Sequence, residues 1–320
     1  MNSFWNTLSK PFFVLAPMAD VTDPAYRRLI AETHPADVMW TEFVSADGLY
    51  HTREKKGMKD DENPLMRDLL YTEGERPLVA QLFSSNPENM AYAAKLCAEL
   101  GFDGIDINMG CPDKSIEKQG CGSAMIKTPE VAVAIIAAAR TSGLPVSVKT
   151  RIGYNKEEID TWIPVLLKQN LPALTVHMRT RKEMSKVPAH WDLMPRIVAL
   201  RNELSPDTLI IGNGDVIDLS DARAKIEESG CDGAMLGRAI FGNPWVFAGR
   251  THAELSKEER LKALDTLARY FEEIQPHKSF HLLKKHVKAF VQGFDGAAEL
   301  RGAIMNTGSV QEMRTVLQSA

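Results

Sequence analysis

Short apolar runs alternate with longer amphipathic ones along this chain at nearly constant spacing. The short runs are Phe12–Ala16, Val38–Thr41, Leu78–Leu82, Gly104–Ile107, Val146–Lys149, Leu174–His177, Leu209–Gly212 and Gly233–Leu236, each of strand length. Between them, helical periodicity covers Pro24–Glu32, Pro87–Leu100, Pro129–Thr141, Glu157–Asn170, Met194–Glu203 and Leu219–Ser229. Asn86-Pro87 and Thr128-Pro129 set a capping side chain before a proline at the first helical position. Gly101, Gly143 and Gly230 stand where a helix end wants a left-handed residue. Eight strands in regular alternation with helices predict the α/β class and a parallel (β/α)8 TIM barrel; a doubly wound open sheet of this size would be unusually large.

After Gly237 the strand pattern stops, and from Lys257 onward Leu261, Leu264, Leu267 and Phe271 recur at helical spacing. Two more helical stretches follow, at residues 280–291 and 300–317. The expected organisation is therefore a catalytic barrel over residues 1–250 and an all-helical domain over residues 251–320. The chain's 320 residues suit that plan better than two equal domains. The charged stretch from His51 to Glu75 has no clear period and reads as a long active-site loop.

Composition narrows the setting. At 44% hydrophobic and 25% charged the chain is an ordinary globular protein, and no apolar run approaches the 20 or so residues a membrane helix needs. The first ten residues lack a sustained apolar run, so no secretory signal is expected. Four irregularly spaced cysteines with no Cys-x-x-Cys predict a reduced, cytoplasmic protein without a metal site. A net charge of −4 argues against a protein that coats nucleic acid indiscriminately, yet permits one local basic face.

In a β/α barrel chemistry sits at the carboxyl ends of the strands. Read in order, those ends carry Pro17 and Met18, Thr41 and Glu42, Gln81, Asn108 with Cys111, Lys149 and Arg151, His177 and Arg179, Asn213 to Asp215, and Gly237-Arg238. So many polar ends exceed what stability requires. Gly212-Asn-Gly-Asp215 and Gly237-Arg238, at the last two strands, form the phosphate site usual for this fold. No Gly-x-Gly-x-x-Gly follows the first strand, which points to a mononucleotide such as FMN rather than a dinucleotide held in a Rossmann domain.

Lys149 interrupts an apolar strand and could stabilise negative charge on a reduced flavin. Cys111 could act as a nucleophile, were His177 to approach it, or as a proton donor. Cys121, in the glycine-bearing loop Gln119–Ala124 that is expected to be flexible, competes for that role, whereas Cys97 and Cys231 read as packing residues. In the tail, His277, His281, Lys284, Lys285 and Lys288 share one side of a helix, beside an apolar side of Phe280, Leu283, Val287, Phe290 and Val291. That positive ridge suits a phosphate backbone.

These motifs in combination resemble the tRNA-dihydrouridine synthases, flavoenzymes that reduce selected uridines in tRNA. The resemblance runs from Ala16-Pro-Met-Ala-Asp-Val-Thr-Asp23 through Thr41-Glu42-Phe43, Gln81-Leu82-Phe83, Asn108-Met-Gly-Cys-Pro112, Val148-Lys-Thr-Arg151 and His177-Met-Arg-Thr180 to the C-terminal helices. It implies FMN contacts from Pro17, Met18, Ala19, Gln81, Lys149 and His177, with Asn213, Gly214, Asp215, Gly237 and Arg238 on the phosphate side. It implies Cys111 as proton donor and Asn108, Arg151 and Arg179 near the target uracil. Lys284-Lys-His286 resembles the basic motif of the family's RNA-binding helical domain. Met178 stands where the family commonly has glycine, and is expected to narrow the space beside the flavin. The implied activity is FMN-dependent reduction of the C5–C6 bond of a tRNA uridine with NADPH, or NADH, as diffusible electron donor; a monomer is expected. The alternatives are a barrel oxidoreductase for a free pyrimidine, or one for ribosomal RNA uridine.

Overall fold

The computed structural model describes residues 3–320 and contains the expected parallel barrel. Its strands are Phe12–Leu15, Met39–Trp40, Leu78–Phe83, Gly104–Met109, Val146–Arg151, Ala173–His177, Leu209–Asn213 and Gly233–Leu236. A short extra piece, Val44–Ser45, runs beside the end of the third strand. The eighth strand pairs with the first, and a parallel bridge between Val14 and Val38 brings the second alongside it. Backbone bonds from Leu15 N–H to Val38 O (3.1 Å) and from Thr41 N–H to Val79 O (3.0 Å) carry the closure past the two-residue second strand. The alternative of an open sheet is thereby excluded.

Strand periodicity sorts the side chains into two layers. Ile105 and Ile107 belong to the large buried layer between strands and helices, with Val146, Val148, Leu174 and Val176. The lumen holds a smaller apolar cluster that includes Phe12, Val14, Trp40, Ile211 and Met235, closed off by Trp5 from an N-terminal 3-10 turn. On the central strands the lumen positions are polar instead: Gln81, Asp106 and Ser147 are all buried. The register sets Gln81 beside Asp106, Asn108 beside Lys149, Arg151 beside His177, and His177 beside Asn213. Polar groups remote from one another in sequence thus meet in successive levels of the lumen toward the carboxyl end.

The caps act largely as expected. Asn86 Oδ1 accepts from Glu88 N–H (2.8 Å) before the helix Pro87–Glu99, and Gly230 closes Leu219–Ser229 with φ +72°. Thr128 departs from this, because its side chain makes no cap bond to Pro129–Arg140. The stretch His51–Glu75 also departs: it is largely folded, with a short helix at Pro64–Asp68, and none of its residues lines the cavity at the barrel mouth. Instead its Glu75 pairs with Arg27 (2.7 Å), both side chains fully buried, and so braces the first barrel helix, Pro24–Thr33. The missing period was that of a strap around the barrel rather than of an active-site loop.

Four helices end the chain: Lys257–Ile274, Phe280–Phe290, Ala297–Met305 and Val310–Gln318. The first starts on a reciprocal cap between Ser256 and Glu259, and it buries Leu261, Leu264, Leu267 and Phe271. It packs on Pro24–Thr33, where Arg28 lies 4.1 Å from the Tyr270 ring centre. Ion pairs from Lys278 to Asp68 (2.9 Å) and from Lys285 to Asp20 (2.9 Å) attach this helical region beside the first two strands.

Candidate active site

The carboxyl ends of the strands surround a cavity of about 740 Å³. Pro17, Met18, Gln81, Asn108, Cys111, Lys149, Arg151, His177, Arg179, Asn213, Gly214, Asp215, Gly237 and Arg238 all line it. Ala19 stands exposed beyond its edge, and Lys284, Lys285 and His286 lie outside it.

A chain of hydrogen bonds runs from the lumen to the Cys111 turn. Burial pushes the Asp106 carboxyl up to about 6, against the bonds it accepts from Ser147 Oγ (2.6 Å) and Gln81 Nε2 (2.7 Å) and against the Lys149 charge. The backbone N–H donors at the other end of the chain fix the direction of each amide bond in it. Gln81 Oε1 accepts from Asn108 Nδ2 (3.0 Å), and Asn108 Oδ1 accepts from the N–H groups of Gly110 (3.2 Å) and Cys111 (2.9 Å). Both ends of the Asn108 amide are committed to holding the turn.

The turn is braced from two further sides. Arg151 Nε donates to Gly110 O (2.7 Å), and Ser123 N–H donates to Cys111 O (3.0 Å). Residues Gly122–Lys127 form a buried 3-10 turn, so the segment expected to be flexible is a packed support. Gly122 has φ +61°, and a side chain there would meet Cys111 O at 2.7 Å. This glycine lets the support close against the turn.

Cys111 is the half-buried thiol that faces the cavity. Burial raises its pKa above the ordinary thiol value; the nearby Arg151 and Lys149 charges oppose this without reversing it. The thiol thus stays protonated at neutral pH, which suits a proton donor and not a nucleophile. Cys121 is buried, lines no part of the cavity, and has its thiol pushed up to about 11. Cys97 and Cys231 are buried, as expected of packing residues.

Cationic side chains line the same cavity as the thiol. Lys149 Nζ donates to Asn213 Oδ1 (3.0 Å), while Asn213 Nδ2 donates to Met235 O (2.9 Å). Burial, helped by Arg151, pulls the lysine down to about 8. Burial and the charges of Lys149, Arg151, Arg179 and Arg238 push His177 well below its ordinary value, so it is neutral. Arg179 Nη1 lies 3.1 Å from His177 Nε2. A guanidinium can only donate, so Nε2 is the acceptor and the ring proton sits on Nδ1.

Asp215 pairs with Arg179 and, at 2.6 Å, with Arg238. Gly214 has φ +120°, and a Cβ there would lie 2.9 Å from Ala189 and 3.1 Å from His177. Met178, expected to narrow this space, is instead fully buried in the layer between strands and helices and does not reach the cavity. It follows His177 by one position, and one position along a strand changes the face.

The positive ridge of the tail is corrected by the structure. Lys284 turns inward and donates to Met305 O (2.8 Å) and Thr307 O (2.6 Å). His286 is buried with its ring centre 4.9 Å from that of Tyr26, and burial brings its pKa down to about 4. Lys285, Lys288, His281 and His277 remain exposed. Helical spacing identified one side of the helix but not how far the neighbouring helices reach around it.

A protonated thiol facing a cationic cavity at the carboxyl ends of eight parallel strands is the site of a β/α-barrel enzyme. The chain belongs to the dihydrouridine synthase family, whose model, described as Dihydrouridine synthase (Dus), matches residues 14–320. It is 43% identical to the probable tRNA-dihydrouridine synthase 2 of Bacillus subtilis, over 98% of this chain and 95% of that protein. It is 41% identical to the probable tRNA-dihydrouridine synthase of Staphylococcus aureus strain COL, over 98% and 94%. Among solved structures, a 2-naphthoyl-CoA reductase shares the fold at 9% identity with a TM-score of 0.55, covering 74% of this chain and 49% of the other. A morphinone reductase in complex with tetrahydroNAD does so at 11% identity with a TM-score of 0.51, covering 77% and 89%. Among the described residues no helix is long and apolar enough to cross a membrane.

Proposed function

We propose that this protein reduces the C5–C6 double bond of a uridine in tRNA to give dihydrouridine, using FMN as bound cofactor and NADPH as electron source. One observation carries the reading: a thiol held protonated by burial, on a braced turn, lines the same cavity as Lys149, Arg151 and His177. The donor set fits a flavin. Lys149 and the Nδ1–H of His177 are hydrogen-bond donors suited to electron-rich oxygen and nitrogen atoms, and Arg238, 63% exposed, can leave Asp215 for a phosphate. Ala16, Pro17, Met18 and Met235 supply an apolar surface for a flat ring, and about 740 Å³ lies within the range of ligand cavities.

When bound, the flavin supplies a hydride to one carbon of the uracil double bond. Cys111 Sγ delivers its proton to the other carbon and is left as thiolate, to be reprotonated from solvent. The Asp106–Gln81–Asn108 chain holds the thiol in place for that transfer, which removes a search the reacting groups would otherwise make. Arg151 Nη2 has no protein partner among the described residues, and we assign it to a uracil oxygen. Arg179 orients His177 and Asp215. We assign the barrel, residues 1–250, to catalysis and residues 251–320 to tRNA contact through the exposed Lys285 and Lys288.

The test is direct. Purified protein should show a flavin absorption spectrum and release FMN on denaturation. The NADPH-reduced enzyme should be reoxidised by tRNA lacking dihydrouridine and only weakly by free uridine. Equal efficiency with free uridine would favour a free-pyrimidine reductase, and absence of flavin binding after reconstitution would remove the reading.

A further inference from the structure

A second recess, of about 510 Å³, lies between the loops that follow the fifth and sixth strands. Lys156, Lys182 and Lys186 line it, and all three are exposed. The two carboxylates in its wall already have partners. Glu157 pairs with Arg196 (3.0 Å), and Glu183 takes His190 Nε2 (2.9 Å) and the N–H of Thr180 (2.7 Å). Among the described residues, none of the three ammonium groups has a carboxylate within salt-bridge distance. Three uncompensated positive charges therefore converge on one concavity of a chain whose net charge is −4.

The framework beneath the lysines is fixed. Arg181 N–H donates to Gly153 O and Lys182 N–H to Tyr154 O, both at 2.9 Å, lacing the two loops together. The inner side of the recess is tied to the catalytic cavity, because Arg151 Nη1 donates to Thr180 O (3.2 Å) and Met184 O (3.1 Å) and Arg179 Nε donates to Val187 O (2.6 Å). The strand order sets the fifth and sixth strands across the barrel from the first and second. The helical region is attached beside the first and second, through Asp20 and Glu42. The cavity thus lies between the helical region and the lysine recess.

We propose that this recess is a phosphate subsite that grips the backbone of the RNA substrate on the lip opposite the helical region. A polynucleotide that lowers one base into the cavity must carry its flanking phosphates out over that lip. Three flexible ammonium groups bind such phosphates as point charges, without reading sequence. The inference rests on the proposed tRNA substrate. The phosphates of NADPH share the same chemistry, so the test separates the two sources.

The variant Lys156→Gln/Lys182→Gln/Lys186→Gln of the full-length, FMN-loaded protein is compared with wild type and with Lys168→Gln, an exposed lysine outside both cavities. Equilibrium binding of unmodified tRNA is followed against KCl concentration, and steady-state rates against tRNA and against NADPH. The expected result is a salt slope shallower by about 2 units and a KM for tRNA raised about tenfold or more. The kcat at saturating tRNA and the rate of flavin reduction by NADPH stay within twofold, and Lys168→Gln behaves as wild type. An unchanged slope and KM overturns the proposal. So does a raised KM for NADPH with tRNA binding intact, which would make the recess a dinucleotide site. The binding arm needs no turnover: wild-type protein that binds tRNA with the expected slope but fails to reduce it would sink the functional reading while leaving this subsite standing.

Discussion

Lys284 provides the sharpest test of whether the tail helix is read correctly. Replacing it with methionine keeps the aliphatic stem and removes the ammonium group. Two carbonyls, Met305 O and Thr307 O, then lose their donor at the turn after the third tail helix, and the contact of Nζ with the Phe280 ring (4.9 Å) goes too. A charge-assisted hydrogen bond is worth about 1.5–3 kcal/mol, and a buried acceptor left unpaired costs about 1–3. Some of that is recovered, because methionine packs well and the ammonium no longer has to be desolvated. A net loss of about 3 kcal/mol follows for the helical region, or roughly 6 °C in melting temperature. Differential scanning calorimetry reads this. In the same preparation the salt slope of tRNA binding should not change, since the group does not reach solvent. Lys288→Met should do the reverse: a stability change within about 0.5 kcal/mol, and a slope shallower by about 0.9. A Lys284→Met protein that melts within 1 °C of wild type and binds tRNA with a shallower slope would refute the inward placement.

Three further outcomes are expected. Cys111→Ala should lower tRNA reduction by about 10²–10⁴-fold with flavin reduction by NADPH unaffected, whereas Cys121→Ala stays within a few-fold; single-turnover kinetics decide, and the opposite order would reassign the donor. Flavin affinity should be flat below pH 8 and fall above it by up to tenfold per pH unit, because Lys149 titrates near 8 in the free protein and the bound ligand favours its charged form; the slope should vanish in Lys149→Met. His286, with its folded pKa lowered to about 4, binds its proton less readily folded than unfolded, so its contribution is full above pH 6.5 and is lost as pH falls toward 4; His286→Phe should flatten that acid limb in urea melts at a series of pH values, and an unchanged limb would refute it.

The sequence by itself determined the barrel and most of its mouth. Each strand is a local pattern of period two and each helix carries its own caps, so eight alternating units reveal the fold without any long-range contact. Once the fold is known, the strand ends are known, and with them Gln81, Asn108, Cys111, Lys149, His177 and Asn213. What a lumen position does depends on neighbours remote in sequence. Asp106 and Ser147 were legible as every second residue of their strands, but their link to Gln81 exists only through the register. Burial decided the rest. It keeps the Cys111 thiol protonated at the cavity and Cys121 out of it, and it turned Met178 away from the cavity. It split a helical ridge into buried Lys284 and His286 and exposed Lys285 and Lys288. Periodicity assigns a residue to a side of its own element, whereas solvent access and charge state are set by what other elements bring against that side, and only the tertiary structure contains those.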